Sequence, residues 1–295
     1  MGHKIGLALG GGGARGSYQI GVLKALHDEG ILKNILTISG TSIGAINTLM
    51  VMANLSFDKM IELWERIDNS QIYGQGLDRY KLDKQGLFSI QELYEKLSKE
   101  ISLSEIRASK IQGYATAAKI HKGSRIEQVM IHRMEKEVFH LNDFKDPHRA
   151  VLASASIPVL FGSIDIDDDK YVDGGAKDNC PIEPLLEQGC DVIIAVPIDG
   201  YFHPKKYEKE NILLINIESK KLFNFIPYDI LDFKPDAVKN KVEYGYQMGK
   251  FMVEKLKKLQ LIQDTNEFSR PDGFQLIGVS KEEEKEIKAE VNAWI

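Results

Sequence analysis

Ile35-Leu36-Thr37-Ile38-Ser39-Gly40-Thr41-Ser42-Ile43-Gly44-Ala45-Ile46-Asn47-Thr48-Leu49-Met50-Val51-Met52-Ala53 is the stretch on which the fold is decided. Ile35–Ser39 has the pattern of a short strand. Ile43–Ala53 is apolar nearly all round, which predicts a buried helix. Between them, Gly40-Thr41-Ser42-Ile43-Gly44 is G-x-S-x-G in the strand–turn–helix setting that a nucleophile elbow requires. A bend that sharp strains the serine backbone, and a glycine two positions to either side removes Cβ atoms that would collide. The Ser42 hydroxyl is then expected at the C-terminal end of a strand, where α/β sheets place their sites. Without that setting, the pentapeptide reads equally well as an ordinary turn with two glycines.

Working outward, Lys4–Leu9 predicts a first strand and Ser17–Glu29 a helix with Ile20, Leu23 and Leu26 on one side, stopped at Gly30. Phe57, Met60, Ile61, Trp64 and Ile67 recur at helical spacing. Ser89-Ile90-Gln91-Glu92 is a capping-box signature opening a helix with Ile90, Leu93, Tyr94 and Leu97 buried. Strands are predicted at Tyr114–Ile120, Val129–His132 and Val138–Leu141. Val192–Val196 and Ile212–Ile217 read as strands buried on both faces. Ala237–Leu259 predicts a long helix with Val238, Val242, Gly245, Gly249, Met252 and Leu256 inward, and the tail from Lys281 a charged helix. Gln71–Gly86 and Tyr201–Lys209 read as loops. The alternation predicts an α/β fold, a three-layer α/β/α arrangement with a mostly parallel central sheet. No linker or repeat interrupts it, so residues 1–295 are expected to form a single domain.

The composition fits. Of 295 residues, 43% are hydrophobic, enough for a core, and 27% are charged. A net charge of −5 argues against a nucleic-acid partner. With a mean hydropathy of −0.24, no apolar run approaches the roughly 18 residues of a membrane span. The apolar stretch Ile5–Leu9 is too short for a signal peptide and runs into glycines. Cys180 and Cys190 match no zinc spacing and make no disulfide framework; two reduced thiols in a cytoplasmic protein are expected.

Gly10-Gly11-Gly12-Gly13-Ala14-Arg15-Gly16 separates the first strand from the first helix. Three uses compete. A dinucleotide fingerprint wants a carboxylate at the end of the second strand, where Ile38-Ser39-Gly40 stands. A phosphate-binding P-loop wants Lys-Ser/Thr where Ser17-Tyr18 stands. An oxyanion hole needs only backbone N–H groups converging on one point with a helix N-terminus behind them. Four consecutive glycines exceed what a simple tight turn needs.

A serine hydroxyl needs a base. Of the histidines, only His203 lies late enough for a Ser…Asp…His order, and it sits in an irregular loop that reads as surface. Asp173-Gly174-Gly175 is the stronger candidate: Lys170–Val172 reads as a strand leading into it, and two glycines allow close approach. Taken alone, the motif divides evenly between a base and a turn.

Together these residues resemble the patatin-like phospholipase family. Gly10–Gly16 is similar to its oxyanion motif, Gly40–Gly44 to its nucleophile motif, Ala153-Ser154-Ala155-Ser156-Ile157-Pro158 to its Ala-Ser-x-x-Pro block, and Asp173-Gly174-Gly175 to its Asp-Gly-Gly/Ala. The four stand in the family's order, and similar context runs through Asn179–Ile198; from Tyr201 onward no diagnostic motif is recognised. The resemblance implies a patatin-like fold and a lipid acyl hydrolase with a Ser–Asp dyad. Ser42 would be nucleophile and Asp173 general base. The N–H groups of Gly11, Gly12 and Gly13 would bind the oxyanion, with Gly40, Gly44, Gly174 and Gly175 in support. Arg15 would brace the loop or attract an anionic headgroup. A lipid or other acyl ester is the implied substrate, and no cofactor or metal is implied. An acyltransferase with the same acyl-enzyme, and a non-catalytic interaction protein, are the competing readings.

The remaining signals are weaker. Asp165–Asp169 fails the calcium-loop pattern, with Lys170 where glycine and Ala176 where glutamate should stand, and reads as a hairpin tip. His132, His140 and His148 read as structural. Leu222–Pro227 after Lys220-Lys221 is either a lipid-surface contact or, the favoured reading, aromatics packed on the core.

Overall fold

The computed structural model describes residues 2–66, 91–121, 130–158, 162–220, 230, 232–263, 265–270 and 272–294. Among them, nine strands form one sheet: β1 (Ile5–Leu9), β2 (Ile35–Thr41), β3 (Gln112–Ile120), β4 (Glu135–His140), β5 (Ile164–Ile166), β6 (Asp169–Asp173), β7 (Val192–Val196), β8 (Leu213–Asn216) and β9 (Gln275–Gly278). The order is β5-β6-β3-β2-β1-β7-β8-β9, with β4 added to β3. β3, β2, β1, β7, β8 and β9 run parallel; β4, β5 and β6 pair antiparallel.

Side chains alternate across the sheet with period two and feed separate cores. Leu7, Leu9, Val192, Ile194, Leu213 and Ile215 enter one core with α1 (Gly16–Asp28), α2 (Ile43–Met52), α6 (Pro147–Ser154) and α8 (Pro235–Lys258). Ala8, Ile193, Ala195 and Leu214 enter the other with Ile182, Tyr207 and Leu185 of α7 (Glu183–Glu187). The sheet is thus the middle of three layers, as expected, with one outer layer built largely from short elements. Phe233 and Val253 share the core of Leu7, so the C-terminal part packs against the N-terminal part.

The topology around β3 positions the site. β3 pairs β4 along one edge. Along its other edge it pairs β2 as far as Thr41↔Thr116, and then β6 from Asp173↔Ala117. β2 runs parallel to β3 and β6 antiparallel, so their C-terminal ends meet head-on at neighbouring positions of one strand. That joint brings residues far apart in sequence together.

α1 and α8 cross at backbone contact. A Cβ on Gly21 of α1 would lie 1.9 Å from the Val242 carbonyl oxygen, and one on Gly245 of α8 would lie 2.0 Å from the Tyr18 carbonyl oxygen. Val238, Val242, Gly245, Gly249, Met252 and Leu256 are all buried, as the helical spacing predicts. α3 (Phe57–Arg66), α4 (Gln91–Glu100), α5 (Leu103–Ala108) and α9 (Lys281–Trp294) complete the helices described.

Some expectations are corrected. Of the strand expected over Val129–His132, residue 129 lies outside the described residues, and Ile131–Arg133 is a 3-10 turn. Arg133 N–H donates to Met130 O at 2.9 Å and Met134 N–H to Ile131 O at 3.2 Å, so the donors are used locally. β4 starts at Glu135, through charged residues that an exposed edge tolerates. β9 and α6 were not expected, although α6 has a readable start: Asp146 accepts the Arg149 N–H at 3.0 Å, and Pro147 opens the helix. The hairpin tip at Asp165–Asp169 is as read, with Asp167 at φ 52° between β5 and β6. The capping box at Ser89, the loop at Gln71–Gly86 and the stretch Leu222–Pro227 fall on residues outside those described; a capping box is present at Ser102 and Glu105.

Candidate active site

β2 ends at Thr41, and the next residue, Ser42, caps α2 with φ 56° and ψ −125°. A non-glycine residue in that region costs about 1–3 kcal/mol and persists only where its surroundings impose it. Here they do. A Cβ on Gly44 would lie 2.1 Å from Leu9 O, and one on Gly40 2.3 Å from Gly44 O, so the bend closes only with glycine at both. Ser42 N–H donates to the Ser154 hydroxyl at 2.8 Å, and Ser42 O accepts from Ala45 N–H at 2.9 Å.

Asp173 closes β6 from the opposite direction and brings its carboxylate beside Ser42, whose hydroxyl pulls the carboxyl pKa down. Its Oδ1 accepts the Gly175 N–H at 2.7 Å, and its own N–H donates to Ser156 O at 2.8 Å. Gly174 lets the turn lie on β3: a Cβ there would be 2.1 Å from Thr116 O. Ser42 and Asp173 are 6% and 8% exposed, so bulk water does little to stabilise the charge. Burial pushes the Asp173 carboxyl up to about 6, against the pull of the Ser42 hydroxyl and the Gly175 N–H. No histidine joins this pair among the described residues. His203 is exposed at the start of the 3-10 turn Pro204–Tyr207, and His148 is buried with Nε2 2.8 Å from Ile101 O.

The glycine loop lies beside Ser42, with Gly11 against the Ser42 Cβ. One expectation fails here. Gly11 N–H donates to Asn179 O at 2.9 Å and is therefore committed to holding the loop rather than to an anion. Asn179 Nδ2 donates back to Gly11 O at 3.0 Å and to Asp199 Oδ2 at 2.5 Å, so Gly11 is gripped on both sides. The N–H groups of Gly12 and Gly13 have no protein acceptor among the described residues. Gly13 takes φ 57° at the start of a 3-10 turn that runs into α1. Arg15 is buried and its Nη1 donates to Ile198 O at 3.4 Å, which fits the bracing alternative.

A buried amide network that the sequence did not disclose sets the loop from beneath. Gln19 Nε2 donates to Gly10 O at 2.8 Å and Val196 O at 3.0 Å. Gln19 Oε1 accepts from Asn47 Nδ2 at 2.9 Å, which also donates to Gly16 O at 3.0 Å. Asn47 Oδ1 accepts the Trp64 indole N–H at 3.1 Å. Each amide group has its partners, the condition under which a buried polar network rigidifies. One signal was available: Asn47 carries the one side-chain amide of the otherwise largely apolar α2, and a buried amide calls for partners. Ser154 stands in the Ala-Ser-x-x-Pro block but with no role legible there, and Asn179 gave no such signal, because their partners are set by topology.

The patatin-like phospholipase family model matches residues 7–186. A lysophospholipase nte1 of Aspergillus terreus is 30% identical over 201 residues, 67% of this chain and 12% of that protein. The Saccharomyces cerevisiae lysophospholipase NTE1 is 27% identical over 210 residues, 67% of this chain and 11% of that protein. The chain thus spans about an eighth of the length of these relatives. Among solved structures, VipD of Legionella pneumophila superposes with a TM-score of 0.52 at 15% identity, covering 99% of this chain and 75% of that one, a likeness of fold.

Proposed function

The chain belongs to the patatin-like phospholipase family, a family of serine-dependent ester hydrolases, and from that membership we propose that it cleaves lipid acyl esters with Ser42 as nucleophile and Asp173 as general base. The observation that carries this reading is that Ser42, on its strained bend, lies beside a buried carboxylate that burial pushes up to about 6. A base poised near the working pH combines the right protonation state with adequate driving force for proton transfer.

In the proposed reaction, Ser42 Oγ attacks the ester carbonyl carbon while Asp173 takes its proton. The tetrahedral oxyanion is held by the Gly12 and Gly13 N–H groups, with the positive end of α1 behind them. The leaving alcohol departs with the proton from Asp173. Water then attacks the acyl-enzyme, its proton passes to Asp173, and Ser42 recovers its hydrogen as the fatty acid leaves. The relatives named as lysophospholipases favour a lysophospholipid or phospholipid as substrate. The buried, unpaired thiols Cys180 and Cys190 fit a cytoplasmic setting, with lipid met at a membrane surface.

The test is hydrolysis of a panel of phospholipids, lysophospholipids and soluble acyl esters, with fluorophosphonate labelling in parallel. Ser42→Ala is expected to abolish turnover and labelling, and Asp173→Asn to abolish turnover in a folded protein. A normally active Asp173→Asn enzyme refutes the dyad. Fatty acid transferred to glycerol or lysolipid in preference to water makes the protein an acyltransferase.

A further inference from the structure

We propose that Ser154 is a positioning residue for this reaction: its hydroxyl fixes the backbone of Ser42 to the joint of the sheet and so sets the separation of Ser42 from Asp173. The inference rests on the Ser42–Asp173 reading above and adds the group that holds the pair in register.

Ser154 is the last residue of α6, and its side chain is fully buried. Its hydroxyl donates to Thr116 O at 2.5 Å. Thr116 is the last β3 residue paired with β2, and Ala117 the first paired with β6. The carbonyl that Ser154 binds therefore marks the junction of the two strands that deliver nucleophile and base. With its one proton committed there, the Ser154 oxygen accepts the Ser42 N–H at 2.8 Å. The direction is fixed, because a backbone N–H only donates. Two residues on, Ser156 O accepts the Asp173 N–H at 2.8 Å. One turn of chain at the end of α6 thus holds the main chain of both reacting residues.

Ser42 needs such a hold. Its backbone conformation is unfavourable for a residue with a Cβ, and its hydroxyl must stay on Asp173. The Ser156 contact is made by the main chain and survives any side-chain change. The Ser154 contact is made by a hydroxyl and can be removed. The Ser154 hydroxyl bonds Ser42 N–H and Thr116 O and makes no hydrogen bond to Asp173 among the described residues, so its action passes through Ser42.

The experiment compares wild type, Ser154→Ala, Ser154→Cys and Ser154→Thr on a soluble p-nitrophenyl acyl ester across pH, with Ser42→Ala and Asp173→Asn as references. Ser154→Ala removes the acceptor of the Ser42 N–H and a donor to Thr116 O, and kcat is expected to fall about 10- to 100-fold with KM within about twofold. The acid limb of kcat should move to higher pH, because a displaced Ser42 no longer holds the Asp173 pKa down. Ser154→Thr keeps the hydroxyl and should restore both. Ser154→Cys nearly preserves volume with a poor acceptor; it should lose kcat like the alanine variant, and it serves where the alanine variant does not fold. Wild-type kcat in the alanine or cysteine variant overturns the inference. So does a loss that leaves the acid limb in place and that threonine fails to restore, which marks a merely structural hydroxyl. Activity surviving in Ser42→Ala or Asp173→Asn refutes the Ser42–Asp173 dyad itself, a separate result.

Discussion

At the residue scale, Asp173 gives the sharpest consequences. Its carboxyl stands at about 6 in the folded protein and near 3.8 when exposed. Only the carboxylate accepts the serine proton, so kcat/KM should fall about tenfold per pH unit below pH 6 and level off above it. A pH–rate profile on a soluble ester checks this; a limb near 4 would mean that the carboxylate is solvated during turnover. The same shift acts on stability with the opposite preference. Between 3.8 and 6 the folded state holds a proton that the unfolded state has released, so stability falls as pH rises through that window. The buried charge therefore costs the fold up to about 3 kcal/mol above pH 6. Asp173→Asn can keep the Gly175 N–H bond without the charge. It should melt several degrees above wild type at pH 8 and close to wild type at pH 3.5, while turning over no ester. Equal melting temperatures for the two proteins at pH 8 would show that burial does not raise this carboxyl.

At the scale of elements, α1 and α8 meet where neither has a side chain to yield. Gly245→Ala would place a Cβ 2.0 Å from a backbone oxygen, so the helices must part, at a cost of about 1–3 kcal/mol. Gly278→Ala at the sheet edge meets nothing nearer than 3.7 Å and should change stability by less than about 0.5 kcal/mol. Urea unfolding of the two variants tests the contrast, and equal midpoints would deny the close crossing. The elements legible in the sequence were those whose pattern is dictated by burial. β1 and β7 are apolar runs because both faces are covered, and α8 shows its stripe because one side packs against α1. β4 and β9 were read poorly or not at all. An edge strand need satisfy one face only, and Glu135-Lys136-Glu137 does not look like a strand until β3 lies beside it. The site divides in the same way. Ser42 and Asp173 stand in motifs because local backbone geometry demands glycines around them. Ser154, Asn179 and Gln19 act across the fold, and Gly11 turned out to be a tether because Asn179 reaches it from far along the chain.

At the scale of the molecule, the site joins parts of unequal stability. Ser42 and the glycine loop hang from β2 and β1. β1 lies between β2 and β7 with every residue buried. Asp173 arrives on β6, which pairs with β3 over four residues and with the three-residue β5 on its far side. Regions with few buried contacts and few ladder bonds open at lower free energy than the centre of a sheet. The β5–β6 hairpin should therefore open before the sheet unfolds, carrying the carboxylate away while the serine stays in place. Two measurements follow. In native-state hydrogen exchange, the amides of Tyr171–Asp173 should exchange before those of Leu7–Leu9 and Ile193–Ala195. In increasing urea, ester turnover should decline while far-UV circular dichroism still reports the folded sheet. Coincident transitions would mean that the hairpin and the central strands form one cooperative unit. In that case the head-on joint at Thr116 and Ala117 locks β6 as firmly as its neighbours, and the bond from the Asp173 N–H to Ser156 O would be the one responsible.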